Sequence, residues 1–445
     1  MMHLRHAEDR VAPPLSEREA EHWLHGICFK TGPPGAFGVE LEWLVCDGLD
    51  PALPVPHEKV ARCLAALLSP GGLPGNGRLT FEPGGQVELS SAPAASVGDC
   101  VTAACRDLAA VRQALRPAGL TLVGRGFDPC RPPCRVLDLP RYAAMEEFFD
   151  RGGPWGRLMM GSTASVQVCV DAGRECAGTS GFRFRWRLLH AIGPVLVAAF
   201  ANSPLRAGRP TGWKSTRQAV WARLDPGRTL APAGAEPGLK APGSDPDALD
   251  PRAEWAGYAL DAEVMCVRRN GSRRWTAPAG LTFRDWLRGA GDCRPTTDDL
   301  AYHLSTLFPP VRPRGHLELR MIDAQPADGW IVPAGLVAAL LDDPAAADLA
   351  MAAAEPVWHG RVPDGQVTRT ACTAGGRTDP WLDAARLGPG DPMLARAGRA
   401  CFEAADAALG RSRAPREVRD AVAAFADKYA SRGRCPADDM LEVSR

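Results

Sequence analysis

The chain has 445 residues, 45% of them hydrophobic and 23% charged, with 52 basic residues balancing 52 acidic ones. That length allows two or three average domains and a large core. A balanced charge carries neither the basic footprint of a nucleic-acid binder nor that of a membrane-surface protein. The 14 cysteines are scattered without a CxxC pair, which argues against a zinc ribbon or a thioredoxin-type site. Most are expected as reduced, buried thiols. Cys100/Cys105 and Cys130/Cys134 are the closest pairs and the candidates for a regulatory disulfide. The first residues, MMHLRHAEDR, are charged and lack an apolar run, so no secretory leader is predicted. The longest apolar stretch, 191–201, contains Pro194 and is too short to cross a bilayer. The expectation is a soluble, cytoplasmic protein with no membrane and no nucleic-acid partner.

Ser16, with Glu19 three positions on, predicts a capped helix over 16–28. A strand follows at 36–46, then a helix at 56–68 closed by Pro70, Gly71 and Gly72, then a strand region at 78–90. Ser96 caps an Ala/Leu-rich helix to residue 116. A strand at 120–126, a helix at 142–149 and an alternating strand at 162–171 come next, followed by a buried helix at 182–202. Residues 225–252 are rich in Pro, Gly and Asp and read as a mobile surface loop, with helix disfavoured. Further helices are predicted at 283–290, 297–307, 333–354, 392–409 and 414–431. No internal repeat is evident, and the whole of 1–445 reads as one composite domain. Strands early and helices late predict an α+β fold with a largely antiparallel sheet.

Within these elements, carboxylates recur at even spacing. Glu40 and Glu42 share one face of their strand. Like charges on one buried face are costly unless a cation neutralises them, and hard divalent cations take oxygen ligands. In Phe81–Glu82–Pro83–Gly84–Gly85–Gln86–Val87–Glu88 the glycines predict a turn or bulge, with Gln86 and Glu88 alternating onto one face. His316, Glu318 and Arg320 share a third strand face; a plain salt-bridge ladder is the simpler reading. The functional reading puts Glu318 on a metal and Arg320 on a phosphate or oxyanion. The segment from Thr211 through Trp213 to Arg217 and Trp221 is either a surface loop or a clamp for a substrate carboxylate, with Arg217 as the fork. There is no GxxxxGK[ST], no strand-linked GxGxxG and no GxSxG. Metal-assisted phosphoryl or acyl chemistry remains.

The blocks FGVELEWLV, FEPGGQVELSSAP, STASVQVCVD, FANSPLRAGRPTGWKSTRQAVWARLDPGRT and HLSTLFPPVRPRGHLELR resemble the successive blocks of glutamate–cysteine ligases. The similarity is to the branch shared by plants and many bacteria, and most to the bacterial ligases of ergothioneine biosynthesis. The resemblance implies a glutamine-synthetase-like architecture, a bent antiparallel sheet lined by acidic residues and wrapped by helices. It implies ATP and two or more Mg²⁺ ions, with glutamate and cysteine as substrates. It makes Glu40, Glu42, Glu82, Glu88 and Glu318 the metal-binding set. Gln86, Gln167, Arg217 and Trp213 would meet substrate, and Arg320 would face the transferred phosphate. Two residues depart from the family pattern: Cys169 in Val166–Gln167–Val168–Cys169, and Gly161, where larger residues are frequent. A glutamate ligase with another amine acceptor, a non-catalytic homologue and a metal-dependent hydrolase without ATP are the competing readings.

Overall fold

The computed structural model describes residues 14–32, 35–232, 234–235, 250–269, 271–291, 293–359 and 379–443. Nine strands fall within them: β1 (Phe37–Asp47), β2 (Arg78–Phe81), β3 (Val87–Ser90), β4 (Leu120–Val123), β5 (Ser165–Asp171), β6 (Leu205–Arg206), β7 (Arg209–Pro210), β8 (Val311–Pro313) and β9 (His316–Asp323). All but β6 and β7 form one seven-stranded sheet in the order β2-β3-β1-β5-β9-β8, with β4 paired to the end of β1. Every pairing is antiparallel. The α+β class and the antiparallel sheet read from the sequence are what the chain adopts.

The register assembles the polar face row by row. Glu42 lies opposite Glu88, which lies opposite Thr80. One step along, Gln167, Glu40, Ser90 and Arg78 stand in line. A third row runs Gly38, Cys169, Glu318, Arg312. Between β5 and β9 the register shifts, so that Arg320 and Met321 together oppose Gln167. Such a bulge leaves carbonyls without ladder partners. Here side chains of the helix Thr216–Trp221 supply them: Arg217 Nη2 donates to the Arg320 carbonyl at 2.7 Å and Gln218 Nε2 to that of Met321 at 2.7 Å.

The opposite face is apolar. Val39, Leu41, Leu89, Val168, Val170, Leu317 and Leu319 are buried in one cluster with the C-terminal helices. The helix Phe182–Ala199 runs through the middle of that cluster, contacting β9 and the helices Pro344–His359, Pro380–Leu387 and Pro392–Arg411. A smaller cluster of Met145, Phe148, Phe149, Leu158, Met159 and Met160 sits apart.

The expected capped helix at the start is Glu17–Cys28, with the Ser16–Glu19 capping box in place. Other expectations are corrected. The region 78–90 is a hairpin, β2 and β3, turning at Gly84–Gly85. Residues 333–354 form two helices, Ile331–Asp342 and Pro344–His359, broken where Asp343 accepts from the Ala346 N–H at 2.9 Å. The 225–252 segment opens with a helical turn, Pro226–Thr229, because Asp225 caps it and Arg228 is fully buried beneath. Arg228 donates to the Thr306 carbonyl at 2.8 Å and lies over the Phe148 ring. Residues 233 and 236–249 of that segment lie outside the described residues. Helices at Trp155–Ser162, Thr216–Trp221, Pro251–Asp261, Pro380–Leu387 and Pro436–Val443 have no counterpart in the sequence reading. The cysteines of both candidate disulfide pairs are free thiols.

Candidate active site

A cavity of about 810 Å³ lies on the polar face of the sheet, at the larger end of the range for small-molecule sites. Its floor is β1, β2, β3, β5 and β9 with the turn after β2, which together present Glu40, Glu42, Glu82, Glu88, Gln167 and Arg320. Its opposite wall is apolar and aromatic: Tyr142, Met145, Met159, Met160, Trp221 and Phe308.

Glu42, Glu82 and Glu88 each bring a carboxylate oxygen within 4.8 Å of the others. Burial raises all three carboxyls; repulsion by the neighbouring carboxylates adds to it at Glu82 and Glu88, while Arg217 and Arg320 oppose it at Glu42. Their remaining partners are neutral donors: Ser165 N–H to Glu42 at 2.8 Å and Thr80 Oγ1 to Glu88 at 2.9 Å. Three crowded carboxylates, with no lysine or arginine among the described residues paired to any of them, have the donor chemistry of a divalent-cation site. Glu40 is pushed up to about 7, by burial first and then by Glu318 and Glu88.

Glu318 stands in a different setting. Arg312 grips it as a fork, Nε and Nη2 each at 2.9 Å from a carboxylate oxygen, and Arg320 Nη1 also donates to it. Burial opposes its charge, but the two guanidinium groups hold Glu318 ionised, well below the usual carboxylate range. It stands apart from the three crowded carboxylates and within electrostatic reach of Glu40. Gln167 joins the two halves: its Nε2 donates to Glu42 at 2.9 Å and its Oε1 accepts from Arg320. Both ends of that amide thus have a partner within the protein. Gln86 also lines the cavity, with Nε2 donating to the Thr163 carbonyl at 2.8 Å.

Arg217 lines the cavity and is 3% exposed. Its guanidinium sits 5.5 Å from the Trp221 ring centroid, and its Nη1 has no hydrogen-bond partner. Trp213 is the one substrate-site candidate the structure does not bring here. Its indole is under the Arg223 guanidinium, 5.4 Å away, and Trp221 takes the aromatic place.

Residues 36–445 match the profile of glutamate–cysteine ligase family 2. The chain belongs to that family. It is 41% identical over 445 residues to the glutamate–cysteine ligase EgtA of Mycobacterium tuberculosis, covering 98% of this chain and 92% of that protein. EgtA of Mycolicibacterium smegmatis is 38% identical over 432 residues, 96% of this chain and 91% of that protein. The chloroplastic glutamate–cysteine ligase of Medicago truncatula is 31% identical over 261 residues, 57% of this chain and 48% of that protein. A solved glutamate–cysteine ligase of Francisella tularensis, in complex with AMP, aligns at 11% identity with a TM-score of 0.48, over 93% of this chain and 85% of that one.

Four cavity arginines escaped the sequence reading of this family member: Arg78, Arg141, Arg312 and Arg314. Arg312 was within reach, since Arg312, Arg314, His316, Glu318 and Arg320 alternate through one hairpin. Arg141 was not, because its role depends on Ser305, which it holds from the far side of the cavity with Nη1 at 2.8 Å from the Ser305 hydroxyl. Asp323 was also missed. It is buried and accepts from Ser203 at 2.7 Å, Ser215 at 2.9 Å and the Asn202 N–H at 2.9 Å, tying the segment before Arg217 to β9.

Proposed function

We propose that this protein joins the γ-carboxylate of L-glutamate to the amine of L-cysteine at the expense of ATP, giving γ-glutamylcysteine. The observation that carries the reading is the triad Glu42–Glu82–Glu88 beside Arg320 and Arg217 in one cavity. The names and near-complete coverage of the relatives set the substrates. By the same likeness the product feeds ergothioneine biosynthesis, in the cytoplasm. Among the described residues no helix is long and apolar enough to cross a membrane.

Glu42, Glu82 and Glu88 would hold one Mg²⁺, and Glu40, facing Glu318, would help hold a second. When bound, these ions supply positive charge to the phosphate oxygens of ATP. Arg320 adds a fixed cation, oriented by Gln167 and Glu318, where charge develops on the transferred phosphoryl group. Arg217, buried at the cavity with its Nη1 3.9 Å from Asp323 and without a hydrogen bond, suits the α-carboxylate of glutamate. A γ-carboxylate oxygen of glutamate bonds to the terminal phosphorus of ATP as the bond to ADP breaks. The cysteine nitrogen then bonds to the acyl carbon, phosphate leaves with its electron pair, and the nitrogen loses a proton. The apolar wall of Met145, Met159, Met160 and Phe308 limits water near the acyl phosphate, whose hydrolysis would waste ATP.

The test is phosphate release by the purified protein with ATP, Mg²⁺ and glutamate, with and without cysteine, and the product mass. Cysteine-dependent release with a γ-glutamylcysteine mass is expected. Release without that mass moves the acceptor to another amine, and no turnover with any acceptor overturns the reading.

A further inference from the structure

Lys214 stands three residues before Arg217 but does not line the catalytic cavity. Its ammonium pairs instead with Asp438, in the helix Pro436–Val443. The two side chains are 21% and 23% exposed, so the pair is mostly shielded from water. Asp438 is also fixed from its own side, where Oδ2 accepts from the Cys435 N–H at 2.9 Å. A second bond runs from the same segment, the Ala437 N–H to the Ala201 carbonyl at 2.9 Å. Cys435, Ala437 and Ala201 are buried together in a small cluster.

The segment 435–438 thus holds two points, Ala201 and Lys214, which bracket the β6–β7 hairpin. Just inside them the chain closes on itself. The Ser203 N–H donates to the Lys214 carbonyl at 3.1 Å, and the Thr216 N–H to the Ser203 carbonyl at 2.9 Å. Both serine hydroxyls donate to Asp323, and the Arg217 N–H donates to Ser203 Oγ at 3.3 Å. Ser215, next to Lys214, caps the Arg217 helix by accepting from the Gln218 N–H at 3.1 Å. Asp323 therefore ties the base of Arg217 to the sheet, and Asp438 ties it to the helices. A binding group displaced by about 1 Å can cost about a hundredfold in rate, so a frame held from two sides bears directly on what Arg217 does. We propose that Lys214 and Asp438 are positioning residues for Arg217. Through them the helix Pro436–Val443 sets the affinity for the α-carboxylate of the donor substrate without touching it. The inference rests on the reading that Arg217 holds that carboxylate, and not on which amine accepts the γ-glutamyl group.

Equilibrium dialysis of the full chain with Mg²⁺, against labelled L-glutamate and separately against labelled ADP, reads binding without turnover. Asp438→Asn keeps an oxygen for the Cys435 N–H and removes the charge; Lys214→Met removes the other member of the pair. Each should weaken glutamate about fivefold, the upper end for an ion pair that is not fully buried. ADP should bind as in the parent. So should 4-aminobutyrate, measured by competition, because it is glutamate without the α-carboxylate and does not need Arg217. Both variants should melt within a few degrees of the parent. Lys214→Asp combined with Asp438→Lys rebuilds the pair in reverse and should restore glutamate to within about twofold of the parent. The proposal is overturned if glutamate binding is unchanged in both folded single variants, if ADP and 4-aminobutyrate weaken along with glutamate, or if the reversed pair leaves glutamate weak. Because no turnover is read, a failure to ligate overturns the ligase reading and not this one.

Discussion

Glu42 and Glu88 stand directly opposite across two strands, with Glu82 beside them, a placement that weakens a sheet when the charges are alike. The cation-free protein carries this cost, and a divalent ion bound there would remove it. Glu88→Gln should therefore raise the melting temperature of the EDTA-treated protein while lowering turnover by about two orders of magnitude or more. A variant that melts lower and turns over normally would take Glu88 out of the set. Glu40 gives the pH dependence. Its carboxyl rises from 4.5 to about 7, by burial and then by Glu318 and Glu88. Between those values the native state binds a proton that the unfolded chain has released. The contribution of Glu40 to the stability of the cation-free protein therefore falls as pH rises through this window, with a slope of at most about 1.4 kcal/mol for each pH step of one. Glu40→Gln should flatten that slope in urea unfolding measured at pH 5 and pH 8. An unchanged slope would place the titration elsewhere.

At the scale of elements, the β8–β9 hairpin carries a buried ion pair, Arg312 with Glu318, 7% and 1% exposed at their side chains. Removing one member of such a pair leaves the other charge uncompensated, at a cost of about 3–5 kcal/mol. Arg312→Met should lose about that much in denaturant unfolding. Arg312→Met with Glu318→Gln should recover part of it without recovering activity. A single variant as stable as the parent would show that water or Arg320 alone satisfies Glu318. This hairpin also shows what a sequence can reveal. Period-two alternation placed Glu40, Glu42, Glu88, Glu318 and Arg320 on their faces, because alternation is a local property of a strand. The β5–β9 bulge is not local, so the tie between Gln167 and Arg320 could not be read. The wall of Met145, Met159 and Phe308 comes from three separate segments and has no motif. Trp213 and Trp221 were indistinguishable by composition. Only the short helix Thr216–Trp221, capped by Ser215, turns Trp221 inward.

One close contact in the helical half bears on the cavity. Gly193 lies within the buried helix Phe182–Ala199, and a Cβ there would stand 2.1 Å from the Trp381 indole. Trp381 begins the helix Pro380–Leu387 and packs edge-on against Trp358, whose Nε1 donates to the Ala191 carbonyl at 2.9 Å. The end of that helix accepts from the backbone that precedes Arg217: the Ser215 N–H meets the Ala385 carbonyl at 2.9 Å and that of Lys214 meets Arg386 at 3.3 Å. A push on Trp381 therefore passes through one rigid helix to the residue that caps the Arg217 helix. Gly193→Ala should cost about 1–3 kcal/mol, the range for overpacking a filled core. Because the displaced end bears on Arg217, it should raise the KM for glutamate more than that for ATP. Trp381→Leu makes room for the added methyl, so the double variant should be more stable than the sum of the single losses, with a coupling of about 1 kcal/mol or more between contacting sites. Additive losses, or equal changes in both KM values, would show that the contact is packing alone and does not reach the cavity.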